Sequence, residues 1–193
     1  MIIQKPLKSK RLVLRSLGAA DIGNSYLRWL CDAEIIKYLE VRHTKPSVRQ
    51  IKRYVKDCNQ SENICLAGIF LSKEGTHIGN IKIGPIDWRN RRGEIGILVG
   101  EKKYHGKGLA LEALNRFASF CFQKLKLHKI TAGCYGSNLA SVNLFHRGGF
   151  QIEGIRPDHW HLGKEWETGV LFGRKRSISR KANNRKKTAG PSR

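Results

Sequence analysis

A basic, glycine-rich turn leads directly into a helical pattern in the middle of the chain, and its residue types suit the binding of an anion. The segment KKYHGKGLALEAL (102–114) follows an apolar stretch, 95–99, that predicts a strand. Gly106 and Gly108 allow the backbone to bend close to a ligand, and the unpaired N–H groups at the start of the next helix would point at that ligand. A phosphate ester fits such a turn, but a solvated turn with an ordinary glycine cap explains a lone Gly-x-Gly equally well.

The size and charge of the chain favour one domain that binds anionic ligands. Its 193 residues are enough to bury a core without disulfide bonds. The formal net charge is +22, and the last twenty residues hold nine Lys or Arg and no acid, which leaves +13 for the first 173. We therefore predict a domain over 1–173 and a disordered basic tail over 174–193. Such a tail either solvates the protein or contacts RNA or the ribosome.

Cysteine usage and hydropathy predict a cytoplasmic protein with reduced thiols and no membrane partner. The five cysteines are odd in number and include no Cys-x-x-Cys pair. The first ten residues lack the apolar core of a signal peptide, and no stretch reaches the roughly 18 uncharged apolar residues of a membrane span. His159 and His161 lie at strand spacing, but no third ligand accompanies them, so no metal site is expected.

The apolar periodicity along the chain predicts a mixed α/β order of elements. A capping box of Ser47 and Gln50 begins one helix, the glycine turn begins another, and Asn138 caps a third over 138–147. Two short helices are predicted over 20–30 and 33–39. Strands are predicted over 10–15, 64–71, 77–83, 93–99, 129–134, 150–155 and 166–172.

Two motifs lie within this order of elements. The first is Lys103-Tyr104-His105-Gly106-Lys107-Gly108, and the second is LHKITAGCYGSNLASVNLFHRGGFQIEG (127–154), which joins an Asn-x-x-Ser helix to Gly-Phe. Together they resemble the GCN5-related N-acetyltransferases, in the branch with ribosomal-protein N-terminal and amino-sugar acetyltransferases. The likeness covers about residues 8–173. It implies a mostly antiparallel central sheet flanked by helices, with acetyl-CoA as co-substrate.

The resemblance implies a cofactor site on the glycine turn and on the strand before it. Lys103 stands where the family has Gln or Arg, so it keeps a charge without a guanidinium fork. Asn138 is expected to bond the pantetheine arm, to cap its helix, or both. The implied cofactor-binding residues are Ile97, Leu98, Val99, Lys103, Tyr104, His105, Gly106, Lys107, Gly108, Leu109, Ala110, Asn138, Ser141 and Phe145.

Acetyl transfer needs a base for the acceptor amine and donors for the thioester oxygen. Backbone N–H groups near Leu98 and Val99 are the expected oxyanion donors, since the family's strands splay apart there. Glu94 opens the same strand and is the candidate general base. A plain ion pair with Arg91 or Arg92 would explain Glu94 as well.

The chain lacks the residue that protonates the departing thiolate in many members of the family. Many members carry a tyrosine where this chain has Phe145. A thiol has a pKa near 8.5, so its anion leaves tolerably without help, and Tyr135, Ser141 or water is expected to protonate it.

The acceptor is expected to be an amine of low pKa. An amine with a pKa near 8 is roughly a tenth neutral at pH 7, whereas a lysine near 10.4 costs more than about 4 kcal/mol to deprotonate. Candidate acceptor-binding residues are Trp29, Tyr38, Arg42, Trp88 and His159, although core packing explains Trp29 and Tyr38 equally well and Trp88 lies in a polar loop.

Three functions remain open at this point. The first is acetylation of a small amine, such as a nucleotide-linked amino sugar. The second is protein N-terminal acetylation, with the basic tail on ribosomal RNA. The third is a non-catalytic RNA- or ribosome-binding protein that kept the fold. The sequence leaves open whether two chains pair as a homodimer.

Overall fold

An eight-stranded sheet forms the centre of the molecule. The computed structural model describes residues 1–176. The spatial order of the strands is β1-β2-β3-β4-β5-β6-β8-β7, and within these residues β5 and β6 alone are parallel neighbours. The strands are β1 (Leu7–Lys8), β2 (Leu12–Arg15), β3 (Cys65–Leu71), β4 (His77–Asp87), β5 (Arg92–Val99), β6 (Lys129–Tyr135), β7 (Gln151–Leu162) and β8 (Glu165–Lys175). The predicted mixed, mostly antiparallel sheet is confirmed.

Helices cover both faces of the sheet. They are α1 (Asn24–Cys31), α2 (Ala33–Ile36), α3 (Val48–Gln60), α4 (Leu109–Gln123) and α5 (Leu139–Arg147), with 3₁₀ turns at Ala19–Asp21, Glu40–His43 and Lys102–Tyr104. α4 and α5 pack over a core that includes Phe117 and Phe172. α1 and α3 pack over a second core that includes Val55 and Phe70. We call the two sides of the sheet the α4 face and the α3 face.

Local sequence signals place the helices well. Ser47 and Gln50 form the predicted capping box, with the Ser47 hydroxyl accepting from Gln50 N at 3.3 Å. Asn138 Oδ1 accepts from Ser141 N at 3.1 Å and caps α5 as predicted. The helix expected over 20–30 begins only at Asn24, because its first turn is a separate 3₁₀ turn. The helix expected over 33–39 ends at Ile36.

The last hairpin is longer than its sequence pattern suggests. The strand expected over 150–155 continues as β7 to Leu162, and its partner begins at Glu165. Arg156, Pro157 and Asp158 interrupt the apolar alternation. The strand accommodates them as an irregularity, since the register with β8 shifts between Arg156 and Trp160.

The domain extends slightly beyond its predicted end. Arg174 and Lys175, assigned from the sequence to the basic tail, are the last residues of β8. Arg174 Nη1 donates to Gly148 O at 2.8 Å, which ties this strand end to the end of α5. Residues 177–193, with the disorder and the RNA contact expected of them, lie outside the described residues.

The thiols behave as core groups. All five cysteines are free, and four of them are buried. Burial raises the pKa of Cys65 and of Cys134 to about 11, so both thiols stay protonated near neutral pH. No helix within residues 1–176 is long and apolar enough to cross a membrane. No group of three or more His, Cys, Asp or Glu in that range is arranged to hold a metal ion.

Candidate active site

The sheet opens between its two parallel strands. β5 and β6 pair only from Arg92 to Glu94 and from Lys129 to Thr131. Beyond these residues, β5 stays paired with β4 and β6 stays paired with β8. The two strands therefore diverge and leave a gap that one extended ligand could enter as if it were a strand.

The ladder on each side decides which backbone groups face this gap. Gly100 N–H donates to Ile78 O at 2.9 Å, and the alternation of an antiparallel ladder then directs the backbone groups of Leu98 toward β4. The groups of Ile97 and Val99 point into the gap instead. Leu98 was a predicted oxyanion donor, and that prediction is wrong because its N–H belongs to the β4 ladder.

The opposite wall of the gap follows the same rule. Gly136 N–H donates to Thr168 O at 2.8 Å, so the alternate residues Gly133 and Tyr135 direct their backbone groups away from β8 and into the gap. Tyr135 O accepts from Asn138 N at 3.0 Å and Val99 O accepts from His105 Nε2 at 2.8 Å. The N–H groups of both walls and the carbonyl groups of Ile97 and Gly133 remain, and these suit the amide groups of a pantetheine arm.

The predicted anion cradle lies at the end of β5. Gly106 and Gly108 have φ of +71° and +73°, which only glycine adopts without strain, and Gly108 is the N-cap of α4. The first bond within the helix joins Glu112 N to Gly108 O at 3.1 Å, so the N–H groups of Leu109 and Ala110 precede the helical ladder. Tyr104 packs partly against the core under this turn. The cradle therefore fits a pyrophosphate at the positive end of a helix.

The lysines beside the cradle are not equivalent. Lys102 Nζ lies 2.8 Å from Asp32 Oδ2 and also bonds Glu34, and these two carboxylates raise the pKa of Lys102. It is therefore paired with α2 and its cap rather than free to neutralise a phosphate. Lys103 and Lys107 are exposed and form no ion pair within the described residues. These two supply the charge that the sequence predicts there.

Arg11 supports the cradle from the neighbouring strand end. Its Nη1 donates to Lys107 O at 2.9 Å, and its Nε donates to Glu112 Oε2 at 2.7 Å. A methyl group on Gly108 would lie 3.7 Å from Arg11 Nη2. Sequence reasoning missed this residue, because nothing local links it to a turn about a hundred positions away.

His105 and Ser141 are both predicted to contact the cofactor arm. His105 Nε2 donates to Val99 O at 2.8 Å, one of the carbonyl groups that face the gap. Ser141 stands half-buried in the first turn of α5 beside its cap, Asn138. The confirmed cap leaves the second predicted role of Asn138, bonding to the pantetheine arm, as a prediction.

Glu94 stands on the α3 face where the strands part. It alternates with Ile95, which lies in the core of the α4 face, and it pairs across the sheet with Thr131. The Glu94 side chain is exposed and forms no ion pair within residues 1–176. Arg92 pairs with Asp87 at 3.4 Å instead. The alternative prediction, a plain ion pair of Glu94 with Arg91 or Arg92, is wrong.

An aromatic cluster forms the far wall of the α3 face. Tyr135, at the end of β6, lies between Tyr38 and Trp160, with ring centres 5.3 and 4.6 Å away. Arg42 Nη2 donates to the Tyr135 hydroxyl at 2.8 Å, so that hydroxyl accepts and its own proton is left for another partner. Tyr38 and Arg42 therefore line this wall together, whereas the buried Tyr135 holds it in place.

Two predicted site residues are core residues instead. Trp29 is 3% exposed, packs against Gly100, and donates from Nε1 to Glu101 Oε1 at 2.9 Å. It therefore offers no surface to an acceptor. Phe145 is 3% exposed and lies 5.4 Å from the Phe150 ring, within the core of the α4 face. Its predicted contact with the cofactor is wrong, because the ring is enclosed by other aromatic rings.

The last two predicted acceptor residues lie at different ends of the sheet. Trp88 is exposed in the β4–β5 turn and donates from Nε1 to Glu62 O at 3.1 Å. His159 lies beside Trp160, with ring centres 4.9 Å apart, and accepts from Arg156 Nη1 at 3.2 Å. His159 thus borders the aromatic wall, whereas Trp88 does not take part in it.

Known proteins match both the sequence and the fold. The family of the acetyltransferase (GNAT) domain matches residues 11–151. The uncharacterized N-acetyltransferase p20 of Bacillus licheniformis is 29% identical over 155 residues, 79% of this chain and 86% of that protein. A ribosomal protein uS5-alanine N-acetyltransferase of Escherichia coli is 32% identical over 77 residues, 40% of this chain and 39% of that protein.

A solved structure shows the same fold with ligands bound. The spermidine N-acetyltransferase of Vibrio cholerae, in complex with CoA and spermine, superposes with a TM-score of 0.78 at 20% identity, over 86% of this chain and 96% of that one. Such a likeness speaks for the fold, and the family match covers most of the sequence. The chain therefore belongs to the GNAT family of N-acetyltransferases and uses acetyl-CoA as its co-substrate.

Proposed function

We propose that the enzyme acetylates the primary amine of a small acceptor of the amino-sugar type, with Glu94 as general base. The observation that carries this proposal is the position of Glu94. It is exposed on the α3 face at the residue where β5 and β6 part, beside the gap with the unpaired backbone donors. An acceptor bound on the α3 face beside Glu94 would therefore lie next to a thioester in the gap.

Each step of the transfer has a group in place. Glu94 takes a proton from the acceptor ammonium, directly or through one water, and the neutral amine attacks the thioester carbon. The Ile97 N–H, which faces the gap three residues or about 10 Å along β5 from Glu94, stabilises the oxyanion. The Val99 N–H lies about 16 Å from Glu94 along the strand and is left for the pantetheine arm. The carbon–sulfur bond then breaks, the amide nitrogen loses its second proton, and the thiolate is protonated by Tyr135, Ser141 or water.

The charges on the α3 face favour an acceptor that is neutral or anionic beyond its amine. Arg42, Lys82 and Arg156 lie on or beside this face. Of its strand carboxylates, Glu153 is paired with Lys129 at 2.6 Å, whereas Glu94 and Glu167, the cross-strand partner of Trp160, form no ion pair within the described residues. A polyamine carries several positive charges and would need several free carboxylates. A nucleotide-linked or phosphorylated amino sugar fits this charge pattern, in contrast to the spermidine of the Vibrio relative.

A protein N-terminal amine is the second candidate. An α-amino group has a pKa near 8 and is therefore as easily deprotonated as an amino sugar. The Escherichia coli relative is named for the alanine of ribosomal protein uS5, and the match to it includes part of this chain only.

Release of free thiol from acetyl-CoA tests the acceptor class directly. Glucosamine, a nucleotide-linked amino sugar, spermidine and an Ala-initiated peptide would be compared at equal concentration. We expect the amino sugars to give the highest kcat/KM, and a higher kcat/KM for spermidine or the peptide would contradict the proposal. Glu94→Gln should lower kcat/KM by about 10²- to 10⁴-fold at pH 7 without weakening acetyl-CoA binding. Unchanged turnover of Glu94→Gln at neutral pH would exclude it as the base.

A further inference from the structure

The α3 face has an open space between a carboxylate and an indole ring. A methyl group on Gly133 would lie 3.9 Å from Glu94 Oε1 and 3.8 Å from Trp160 Cη2. These two groups therefore meet over the same point of β6, where the absent side chain of Gly133 leaves room. We propose that this space is the seat of the acceptor amine, with Trp160 as a binding residue opposite the base.

The Trp160 ring reaches this point because a glycine in each of two neighbouring strands, β6 and β8, leaves space for it. The residue belongs to β7 at the sheet edge, yet its ring extends over β8 to β6. A methyl group on Gly169 of β8 would lie 3.0 Å from Trp160 Cζ3, so only glycine at this position lets the ring lie so close to the backbone. The register shift between Arg156 and Trp160 redirects this part of β7, as such irregularities often do near active sites.

The ring is held in place rather than free to rotate away. Its centre lies 4.6 Å from that of Tyr135 with an interplanar angle of 28°, and the Tyr135 hydroxyl accepts from Arg42 Nη2. His159 flanks the ring on its own strand, at 4.9 Å between ring centres. The indole therefore faces Glu94 from a fixed position.

A carboxylate and an indole together recognise an ammonium group. The carboxylate supplies charge, and the indole, with Cη2 nearest the seat and one face against Tyr135, supplies aromatic surface for the CH groups attached to the amine. The ammonium form would bind first, and Glu94 would then take one proton so that the neutral amine can attack. This inference rests on the proposed function, because it assigns Glu94 the role of base.

Gly133→Ala tests the seat with little risk to folding. The nearest atoms to the new methyl group lie 3.7–3.9 Å away, which is ordinary contact, and the backbone of Gly133 has no positive φ. The methyl group would occupy the space proposed for the amine. We expect kcat/KM for glucosamine to fall at least tenfold, with the rise in melting temperature caused by acetyl-CoA unchanged. Gly154→Ala is the matched control, since its methyl group would touch only Leu171 and should leave kcat/KM as in the wild type.

A second pair of variants distinguishes the effect of an aromatic ring at position 160 from the effect of side-chain volume. Trp160→Phe keeps an aromatic face and should raise the KM for glucosamine less than Trp160→Leu, for which we expect a rise of roughly 5- to 30-fold. Wild-type kcat/KM in Gly133→Ala, or equal kinetics for the two Trp160 variants, would overturn the seat while the proposed function stands. A wild-type enzyme that binds acetyl-CoA but acetylates none of the amines would refute the proposed function and the seat with it.

Discussion

Removal of the Glu112 carboxylate should loosen the cofactor cradle and destabilise the domain. Glu112 accepts three hydrogen bonds, from Ser9 Oγ at 2.8 Å, from Arg11 N at 2.7 Å and from Arg11 Nε at 2.7 Å. Its side chain is 17% exposed, and that of Arg11 is 46% exposed. Bonds to a charged group contribute about 1.5–3 kcal/mol when shielded, and an exposed ion pair at most about 1 kcal/mol. We expect Glu112→Ala to lower the free energy of unfolding by about 3 kcal/mol, and Glu112→Gln by about 1 kcal/mol because the amide oxygen still accepts.

Urea unfolding followed by circular dichroism measures this loss, and its pH dependence gives a second check. Burial opposes ionisation of Glu112, but the hydrogen bonds from Arg11 and Ser9 outweigh it and lower the pKa of the carboxyl. The stabilisation is therefore present above a pH of about 4.5 and is lost as the pH falls through the lowered pKa. The difference between wild type and Glu112→Gln should shrink over that range.

A binding measurement and a control variant complete the same experiment. Arg11 also holds Lys107 O, so Glu112→Ala should raise the Kd for acetyl-CoA as well as reduce stability. Glu74→Gln, in an exposed turn and without an ion pair within the described residues, should behave as wild type. Free energies of unfolding of the Glu112 variants within about 0.5 kcal/mol of the wild-type value at pH 7 would refute the stabilising role of the Glu112–Arg11 contact.

Two further variants test the cradle and the core of the α3 face. Gly108→Ala forces a side chain into left-handed backbone, which costs about 1–2 kcal/mol, and adds a methyl group to the cradle. A thermal-shift assay of this variant should therefore show no stabilisation by acetyl-CoA. A rise in melting temperature equal to that of the wild type would exclude the cradle. Burial lowers the pKa of His77, so the wild type should lose stability as the pH falls from about 6.5 through the lowered pKa. His77→Gln should lack this loss in urea titrations at pH 7.5 and 5.5, and equal slopes for both proteins would contradict it.

The parts of the site that the sequence predicts depend on local signals. Gly106 and Gly108 can be read as a cradle because left-handed backbone at a helix start needs glycine at specific positions. Asn138 is recognisable as a cap because its oxygen must meet an N–H three residues later. In both cases the partner atoms lie within one turn of the same segment.

The parts that the sequence leaves unpredicted depend on contacts between distant segments. Arg11 meets Lys107 only because β2 begins beside α4, and Trp160 comes close to Glu94 only because two intervening glycines leave room. Leu98 was assigned to the gap because the sequence does not reveal the phase of a ladder. One observed bond, from Gly100 N–H to Ile78 O, settles that phase for the whole strand.

The break between β5 and β6 accounts for both the backbone donors in the gap and the position of Glu94 in the proposed reaction. If β5 and β6 had stayed paired beyond Glu94, the N–H groups of Ile97 and Val99 would be bonded to the neighbouring strand, and neither would remain for an oxyanion or a pantetheine arm. Because they part, the gap exposes backbone groups whose burial without partners costs free energy. Bound acetyl-CoA can satisfy these groups, so it should stabilise the fold by about 2.7 kcal/mol at a hundredfold excess over its Kd. Glu94 is the last β5 residue before the break, so the residue we propose as base lies at the closed end of the gap, where the proposed mechanism needs the thioester.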